Sequence, residues 1–381
     1  MKTPFKLPFT PGLRRRVSRR GALLTIAGGA VALTGLPPAP ARAATPGLTR
    51  IAERLSEPWA FAFLPDGRIL ITERRGRLWL VSDTGRRAVD GVPQVADVGQ
   101  GGLLDILLPR DFARTRQVFL TFARQQGDGA GTALGVGRLS LDSDRLEGFK
   151  VIFEAVAGAR GGRHFGARAA ELPDGTLAMT LGDRGDDGLA QDLSRQEGKV
   201  IRINRDGSVP ADNPFVGQTG VRPEIFSYGH RNPQGLAVDG SGQLWASEHG
   251  ARGGDEVNAI RRGANFGWPV ISYGRHYSGA RIGIGTAAPG MEQPAHVWDP
   301  SIAPSGHLIH SGRMFPDWQG RHLIGSLKLD HIAVLTPGPA QWQETKLELP
   351  ETARVRDLRE GPDGAVWFLS VDRGALFRLA R

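Results

Sequence analysis

Tyr228-Gly-His-Arg-Asn-Pro-Gln-Gly-Leu236, followed closely by Glu248-His-Gly-Ala-Arg-Gly-Gly-Asp-Glu256, sets guanidinium, amide, imidazole and carboxylate groups among glycines. Glycine lets backbone approach a ligand closely, and proline fixes a turn. So charged a segment is poor material for a packed core. It reads either as loops that hold polar groups at fixed angles or as ordinary solvated turns. Arg231 and Asn232 in this segment, with Arg354 and Arg356 further on, are planar, multidentate donors suited to an anionic ligand. Lys328 adds a point charge, while Arg356-Asp357 would serve equally as a structural ion pair. His164, in the glycine-rich Arg163-His-Phe-Gly166, has the chemistry of a general base near neutral pH, although a lone loop histidine is more often only a surface residue. Gln100 sits in a flexible Gly99-Gln-Gly-Gly102 nest that suits a flat polar ligand. Asp255-Glu256 forms a credible oxygen site for calcium. Asp183-Arg-Gly-Asp-Asp187 is a weaker one that departs from EF-hand spacing and reads as well as a solvated turn. The sequence contains no His-Glu-x-x-His, Gly-x-Ser-x-Gly or P-loop motif, so zincin, α/β-hydrolase and nucleotide chemistry lack support.

These groups are scattered in loops, and the elements that must hold them are strands. An apolar residue, Pro-Asp-Gly or a variant, and then an alternating strand recur at Leu64, Leu172, Asp239 and Gly361. Each copy reads as a tight turn entering a period-2 strand. The turn glycines, Gly67, Gly175, Gly242 and Gly364, lie 108, 67 and 122 residues apart. Those gaps suit two, one and two units of roughly 55 to 65 residues, with degenerate copies such as Gln117-Val-Phe-Leu-Thr-Phe between them. The reading is an all-β fold: a six-bladed β-propeller of four-stranded antiparallel blades, rather than a pair of β-sandwiches. Helical periodicity is scarce, with one short turn expected near 190–195. A propeller binds ligands at the mouth of its channel, so the site is expected on loops from several blades. The opening segment reads as two blade-to-blade loops flanking Leu244-Trp-Ala-Ser.

Residues 1–43 read as a cleaved leader: Arg14-Arg-Arg-Val-Ser-Arg-Arg20, an apolar run to Leu36, then Ala41-Arg-Ala43. The Ser18-Arg-Arg20 context resembles a twin-arginine export signal, with an ordinary secretory signal as the alternative. The product is expected to be periplasmic or secreted. The leader holds eight of the 48 basic residues and no acid, so residues 44–381 carry forty bases against 39 acids. A chain that looked basic is nearly neutral, which excludes nucleic acid as a partner. It has no cysteine, hence no disulfide or thiolate chemistry. No apolar stretch in 44–381 reaches membrane-spanning length, and this part reads as one propeller domain.

Gln100-Gly-Gly-Leu-Leu-Asp105, His164-Phe-Gly, Gly198-Lys-Val-Ile-Arg202, Asp212-Asn-Pro-Phe215, Gly229-His-Arg-Asn-Pro-Gln-Gly235, Glu248-His-Gly, Gly253-Gly-Asp-Glu256 and Asn265-Phe-Gly-Trp-Pro269 occur in order. In these motifs the chain resembles the soluble aldose sugar dehydrogenases that depend on pyrroloquinoline quinone (PQQ), relatives of soluble glucose dehydrogenase. The resemblance runs from about Leu55 to the C-terminus. It implies a six-bladed propeller with PQQ and Ca²⁺ at the channel mouth and an aldose sugar as substrate. It leaves the sugar, the electron acceptor and a monomeric or homodimeric state unassigned. By the same resemblance His164 is the base that takes the proton of the C1 hydroxyl. Gln100, Arg231, Asn232, Tyr277, Lys328 with Leu329 and Asp330, Arg354, Val355 and Arg356 match cofactor-holding positions. Carbonyls of Gly250 and Ala251 match ligands of the active-site calcium, and Glu256 with the Phe266 carbonyl matches a second, structural calcium. The resemblance makes His230 and His249 bystanders. Three positions depart from the pattern: Arg163 replaces an Asn or Asp, Ala167 a glycine, and Ala251 a proline. The alternatives to this dehydrogenase are a calcium-dependent propeller lactonase and a non-catalytic binding propeller.

Overall fold

The computed structural model describes residues 47–156, 158–339 and 342–381; the expected leader, 1–43, lies outside the described residues. Twenty-four strands form six separate four-stranded sheets, each antiparallel, and these are the blades. Blades 1 to 5 span 58–88, 103–154, 169–228, 233–298 and 304–347. Blade 6 takes three strands from 355–380 and its outermost from ahead of blade 1, where Gly47–Ala52 pairs with Ala375–Ala380. This pairing closes the ring, so the blades that meet at the seam are held by main-chain hydrogen bonds as well as by packing.

The repeat read from sequence is the turn between the first and second strands of blades 1, 3, 4 and 6. In each the glycine takes φ between +84° and +89°, and its N–H bonds back three residues. The turn aspartate accepts from the N–H two residues on, as with Asp174 and Thr176 at 2.9 Å. Only glycine holds that φ without strain, which is why the signal survived in four copies. Blades 2 and 5 replace the turn with the single α-helical turn Phe112–Thr115 and the 3₁₀ turn Pro316–Trp318, and so escaped the pattern. The helical turn expected near 190–195 is a 3₁₀ turn at Asp187–Ala190. One expectation needs correction. Residues 229–232 do join blade 3 to blade 4, but 249–254 connect the second and third strands within blade 4.

Apolar strand faces pack blade against blade. Leu323, Ile332 and Val334 of blade 5 meet Val355, Leu358 and Phe368 of blade 6, for example. Each fully buried side chain of this kind contributes about 1.5–3 kcal/mol. A layer of charge crosses the channel. Arg168 is buried and donates to Asp105 Oδ1 (3.1 Å) and Asp357 Oδ1 (2.9 Å). Arg359 reaches the same two carboxylates at 2.9 and 3.1 Å. Asp105 also accepts from the Ala169 N–H, Asp357 from the Phe61 N–H, and the Gln234 carbonyl from Arg168 Nε. Two cations and two anions thus tie the inner strands of blades 1, 2, 4 and 6 to the start of blade 3. Replacing one member strands a buried charge. Asp105→Asn is expected to lower unfolding free energy by about 3–5 kcal/mol, measured by urea titration followed by tryptophan fluorescence.

Candidate functional site

Five of the six inner strands begin with a break in register: between Pro58 and Ala60, Leu103 and Ile106, Pro233 and Gly235, Pro304 and His307, and Val355 and Asp357. A β-bulge re-aims a side chain that would otherwise alternate into the blade. Trp59, Leu104, Gln234 and Arg356 sit at these breaks, and all four line one cavity of about 620 Å³ at that end of the channel. The rest of its wall comes from connections between blades and from those between second and third strands, which open to the same end.

The electrostatics of this cavity are unbalanced. Arg74 is neutralised by Glu57 (2.8 Å) and Asp97 (2.6 Å). Lys328, Arg354 and Arg356 also line the wall, and none has an ion-pair partner among the described residues. Arg356 donates instead to the neutral Gln234 Oε1 at 2.8 Å. Burial, reinforced by Arg354 and Arg168, pushes its guanidinium down to about 9. Three uncompensated cations face a concavity of a size usual for small-molecule sites. Two amides stand beside them: Asn232, and Gln100, whose Oε1 accepts the His164 N–H at 2.8 Å. Such a donor set suits a flat polyanion.

His164 stands at the edge of this wall with φ +55°. Its Nδ1 lies 2.6 Å from Asp183 Oδ1. Asp183 is itself held by the Gly185 N–H at Oδ1 (2.8 Å) and by Trp268 Nε1 at Oδ2 (2.9 Å). The Asp183 side chain on Nδ1 fixes the ring and leaves Nε2 as the atom free to accept a proton. The departure at Arg163 leads its side chain over Gly185 rather than into the cavity wall. Ala167 holds φ +78°, the backbone that a glycine would take without strain.

A second, much smaller cavity of about 20 Å³ lies behind Arg231, lined by Glu248, Gly250, Glu256 and Phe266. Burial, then the nearby Glu248, pushes the Glu256 carboxyl well above the usual carboxylate range. Asn258 Nδ2 donates to both carboxylates, at 2.9 and 3.1 Å, and its Oδ1 has no partner among the described residues. No cluster of three His, Cys, Asp or Glu side chains at metal-ligand spacing occurs among the described residues. A cation here would therefore depend on carbonyl oxygens as well as carboxylate, which is ordinary calcium chemistry. Gly250 is held by Asp255, which accepts its N–H at 2.8 Å and that of Ala303 at 2.7 Å. A Cβ on Gly250 would meet the Gly253 and Gly254 carbonyl oxygens at 2.3 Å.

Thus the structure brings Gln100, Asn232, Lys328, Arg354 and Arg356 to one cavity, with His164 at its edge. It does not bring every sequence-derived residue there. The Arg231 guanidinium lies over the Trp268 ring (5.3 Å to the centroid) and lines the small cavity. Tyr277 is 76% exposed on the insertion within blade 4, and Leu329 is exposed as well. Asp330 accepts the Arg354 N–H at 3.0 Å, while Val355 is wholly buried and its carbonyl accepts Ser305 Oγ at 2.6 Å. Ala251 is buried beside Trp268. His230 is buried between Glu248 and Ser227, as suits a bystander. His249 instead lines the large cavity. Burial, with Arg231 nearby, depresses it to about 3, and its Nε2–H donates to the Pro304 carbonyl at 2.8 Å, so it is a neutral ring. Asp183, read from sequence as a calcium-like or solvated turn, is the residue that reasoning missed. The signal was its register: it follows the second strand of the blade whose first strand follows His164, so both fall at one end.

The family model for glucose/sorbosone dehydrogenases matches residues 55–378. An aldose sugar dehydrogenase of Escherichia coli is 41% identical over 335 residues, covering 86% of this chain and 90% of its own. The crystal structure of the soluble aldose sugar dehydrogenase of E. coli in the apo form superposes with a TM-score of 0.85 at 39% identity, over 88% of this chain and 99% of that one. The PQQ-bound form of an aldose sugar dehydrogenase from Streptomyces coelicolor gives 0.74 at 26% identity, over 88% and 98%.

The unbalanced cations make a direct expectation. Arg356→Met removes one of three mutually repelling charges and should stabilise the ligand-free protein by about 0.5–2 kcal/mol. It appears as a higher melting temperature by calorimetry, and the gain should shrink in high salt.

Proposed function

The chain belongs to the glucose/sorbosone dehydrogenase family, and we propose that it is a PQQ- and calcium-dependent dehydrogenase that oxidises the C1 hydroxyl of aldose sugars to the lactone. The observation that carries this reading is the cavity with three uncompensated cations next to an oriented imidazole. PQQ has three carboxylates; Lys328, Arg354 and Arg356 would neutralise them, while Gln100 and Asn232 fix its orientation. When bound, PQQ accepts the hydride and calcium polarises its carbonyl. The carbonyls of Gly250 and Ala251 would hold that calcium, and Glu256 with the Phe266 carbonyl a second one.

The chain's own residues divide the remaining work. His164 takes the hydroxyl proton at Nε2 as the C1 hydride leaves, so that proton and electron pair depart to different partners. Asp183 holds Nδ1–H toward itself and stabilises the ring once it is protonated. Trp268 and the Gly185 N–H keep Asp183 in place. Trp59 supplies an apolar wall that sheds water from the cavity. A lactonase would instead line its channel with acidic metal ligands, and here Glu57 is spent on Arg74 and Arg75. The leader at 1–43 fits export, which would put the enzyme in the periplasm or outside the cell.

Purified protein given PQQ and Ca²⁺ is expected to show a saturable change in PQQ absorbance and to reduce an artificial acceptor when an aldose is added. Binding without turnover across a sugar panel would leave a non-catalytic propeller. His164→Ala should retain PQQ binding and lose about 10²–10⁴-fold in kcat; Asp183→Asn should lower kcat with little change in KM. Undiminished turnover in His164→Ala would remove it as the base. Calcium should raise the melting temperature of the wild type, and Glu256→Gln should reduce that shift.

A further inference from the structure

One uncharged side chain in the wall of the large cavity has a forced orientation. Gln234 is the second residue of the inner strand of blade 4, at the register break between Pro233 and Gly235, and is 7% exposed. Its Oε1 meets Arg356 Nη1 at 2.8 Å. A guanidinium has hydrogens to give and no acceptor, so the amide atom that faces it must be the oxygen. The Gln234 nitrogen is then turned the other way. There Nε2 donates to the Gly166 carbonyl at 3.1 Å and to Asn232 Oδ1 at 3.2 Å.

The second of these bonds passes the constraint on. Asn232 Oδ1 also accepts the Gly166 N–H, at 3.2 Å. Two N–H groups on one side of the Asn232 amide require its oxygen there. Its Nδ2, which has no partner among the described residues, is left as the free donor of a residue that lines the cavity. Gly166 is closely packed: a Cβ on it would lie 2.8 Å from the Thr180 carbonyl oxygen and from the Gly182 nitrogen. On the other side, the Gln234 main-chain carbonyl accepts from Arg168 Nε at 3.0 Å, which anchors the residue to the neutral quartet.

The neutrality of the side chain matters as much as its reach. A glutamate would reach as far and bind Arg356 more strongly, by a charge-assisted bond. It would also cancel one of the three unpaired cations and turn an oxygen, not an N–H, toward Asn232 and Gly166. An amide fixes Arg356 through one atom and the Asn232 donor through the other, and leaves the charge of the wall intact. We propose that Gln234 is a positioning residue of this wall: it holds Arg356 and Asn232 donor-first toward the cavity without neutralising it, and so makes the cavity selective for a polyanion. The identity of that anion rests on the PQQ reading; the role of Gln234 rests on its hydrogen bonds.

Two substitutions of similar size separate this role from a merely structural one. The full protein is titrated with PQQ and Ca²⁺ by absorbance, and without Ca²⁺ with pyridine-2,4,6-tricarboxylate, a flat trianion lacking a quinone, by calorimetry. Gln234→Glu should weaken both by about 10–100-fold. Gln234→Met, which loses the hydrogen bonds but leaves Arg356 charged, should weaken both by about tenfold or less. A structural role predicts the reverse order, because a carboxylate still accepts from Arg356 and a thioether does not. Salt gives a second readout. Raising ionic strength should weaken the wild type and Gln234→Met by a similar factor and Gln234→Glu by a smaller one, one attractive charge having been cancelled. Circular dichroism establishes that each variant is folded. Undiminished affinity in either folded variant, or a larger loss in Gln234→Met than in Gln234→Glu, overturns the proposal. Wild-type protein that takes up the trianion but not PQQ would sink the cofactor reading and leave the role of Gln234 standing on the trianion series. PQQ binding that Gln234→Glu keeps in full would do the opposite, and uptake of neither anion would overturn both.

Discussion

The structure turns on the paired charges at the centre of the channel. Arg168 and Arg359 share Asp105 and Asp357, and backbone groups from neighbouring blades complete the set. Six sheets radiating from an axis leave a central gap that apolar side chains from twisted inner strands fill poorly. A closed quartet of charges crosses it, with a cavity of about 920 Å³ on its other side, and satisfies its own donors and acceptors. Its net charge is zero, so it does not add to the potential of the cavity above it. A half-satisfied quartet would be worse than none, because each unpaired charge is expensive in so dry a place.

Above that neutral floor the balance is broken. Lys328, Arg354 and Arg356 face a cavity with no carboxylate of their own, and Arg356 is held below its usual range by burial and by its neighbours. Natural proteins tolerate such local destabilisation where a ligand relieves it. The contrast between the two layers, only a residue apart at Arg356-Asp357, is what gives one end of the channel its uncompensated positive charge. The sequence reading offered Arg356-Asp357 as a ligand donor or as a structural ion pair. The two residues divide those roles: Asp357 belongs to the quartet and Arg356 to the cavity.

The small residues of the opening segment acquire their meaning in the same way. Gly250 is required because carbonyls of 253 and 254 crowd the place of its side chain. His230, in the connection from blade 3, and Glu248 of blade 4 hold one another, while His249, the residue after Glu248, turns into the cavity as a neutral ring. Alternation along a strand and its continuation explains why neighbours differ so sharply in fate.

Sequence by itself determined the blade count and the closed all-β architecture, because a turn that demands glycine at positive φ leaves a mark at fixed chain spacing. It also made most of the cavity's polar wall legible, since Gln100 and Asn232 lie in ordered motifs and Lys328, Arg354 and Arg356 match cofactor-holding positions of the family that the chain resembles. Only the tertiary structure decided which side chains enter the channel. Bulges at the heads of the inner strands re-aim Trp59, Gln234 and Arg356, and a bulge is a matter of strand pairing that no single strand displays. The partnership of His164 with Asp183 was hidden for a related reason. Their 2.6 Å contact joins two connections of one blade, and only ring closure brings those connections to the same end as the cations of blades 5 and 6.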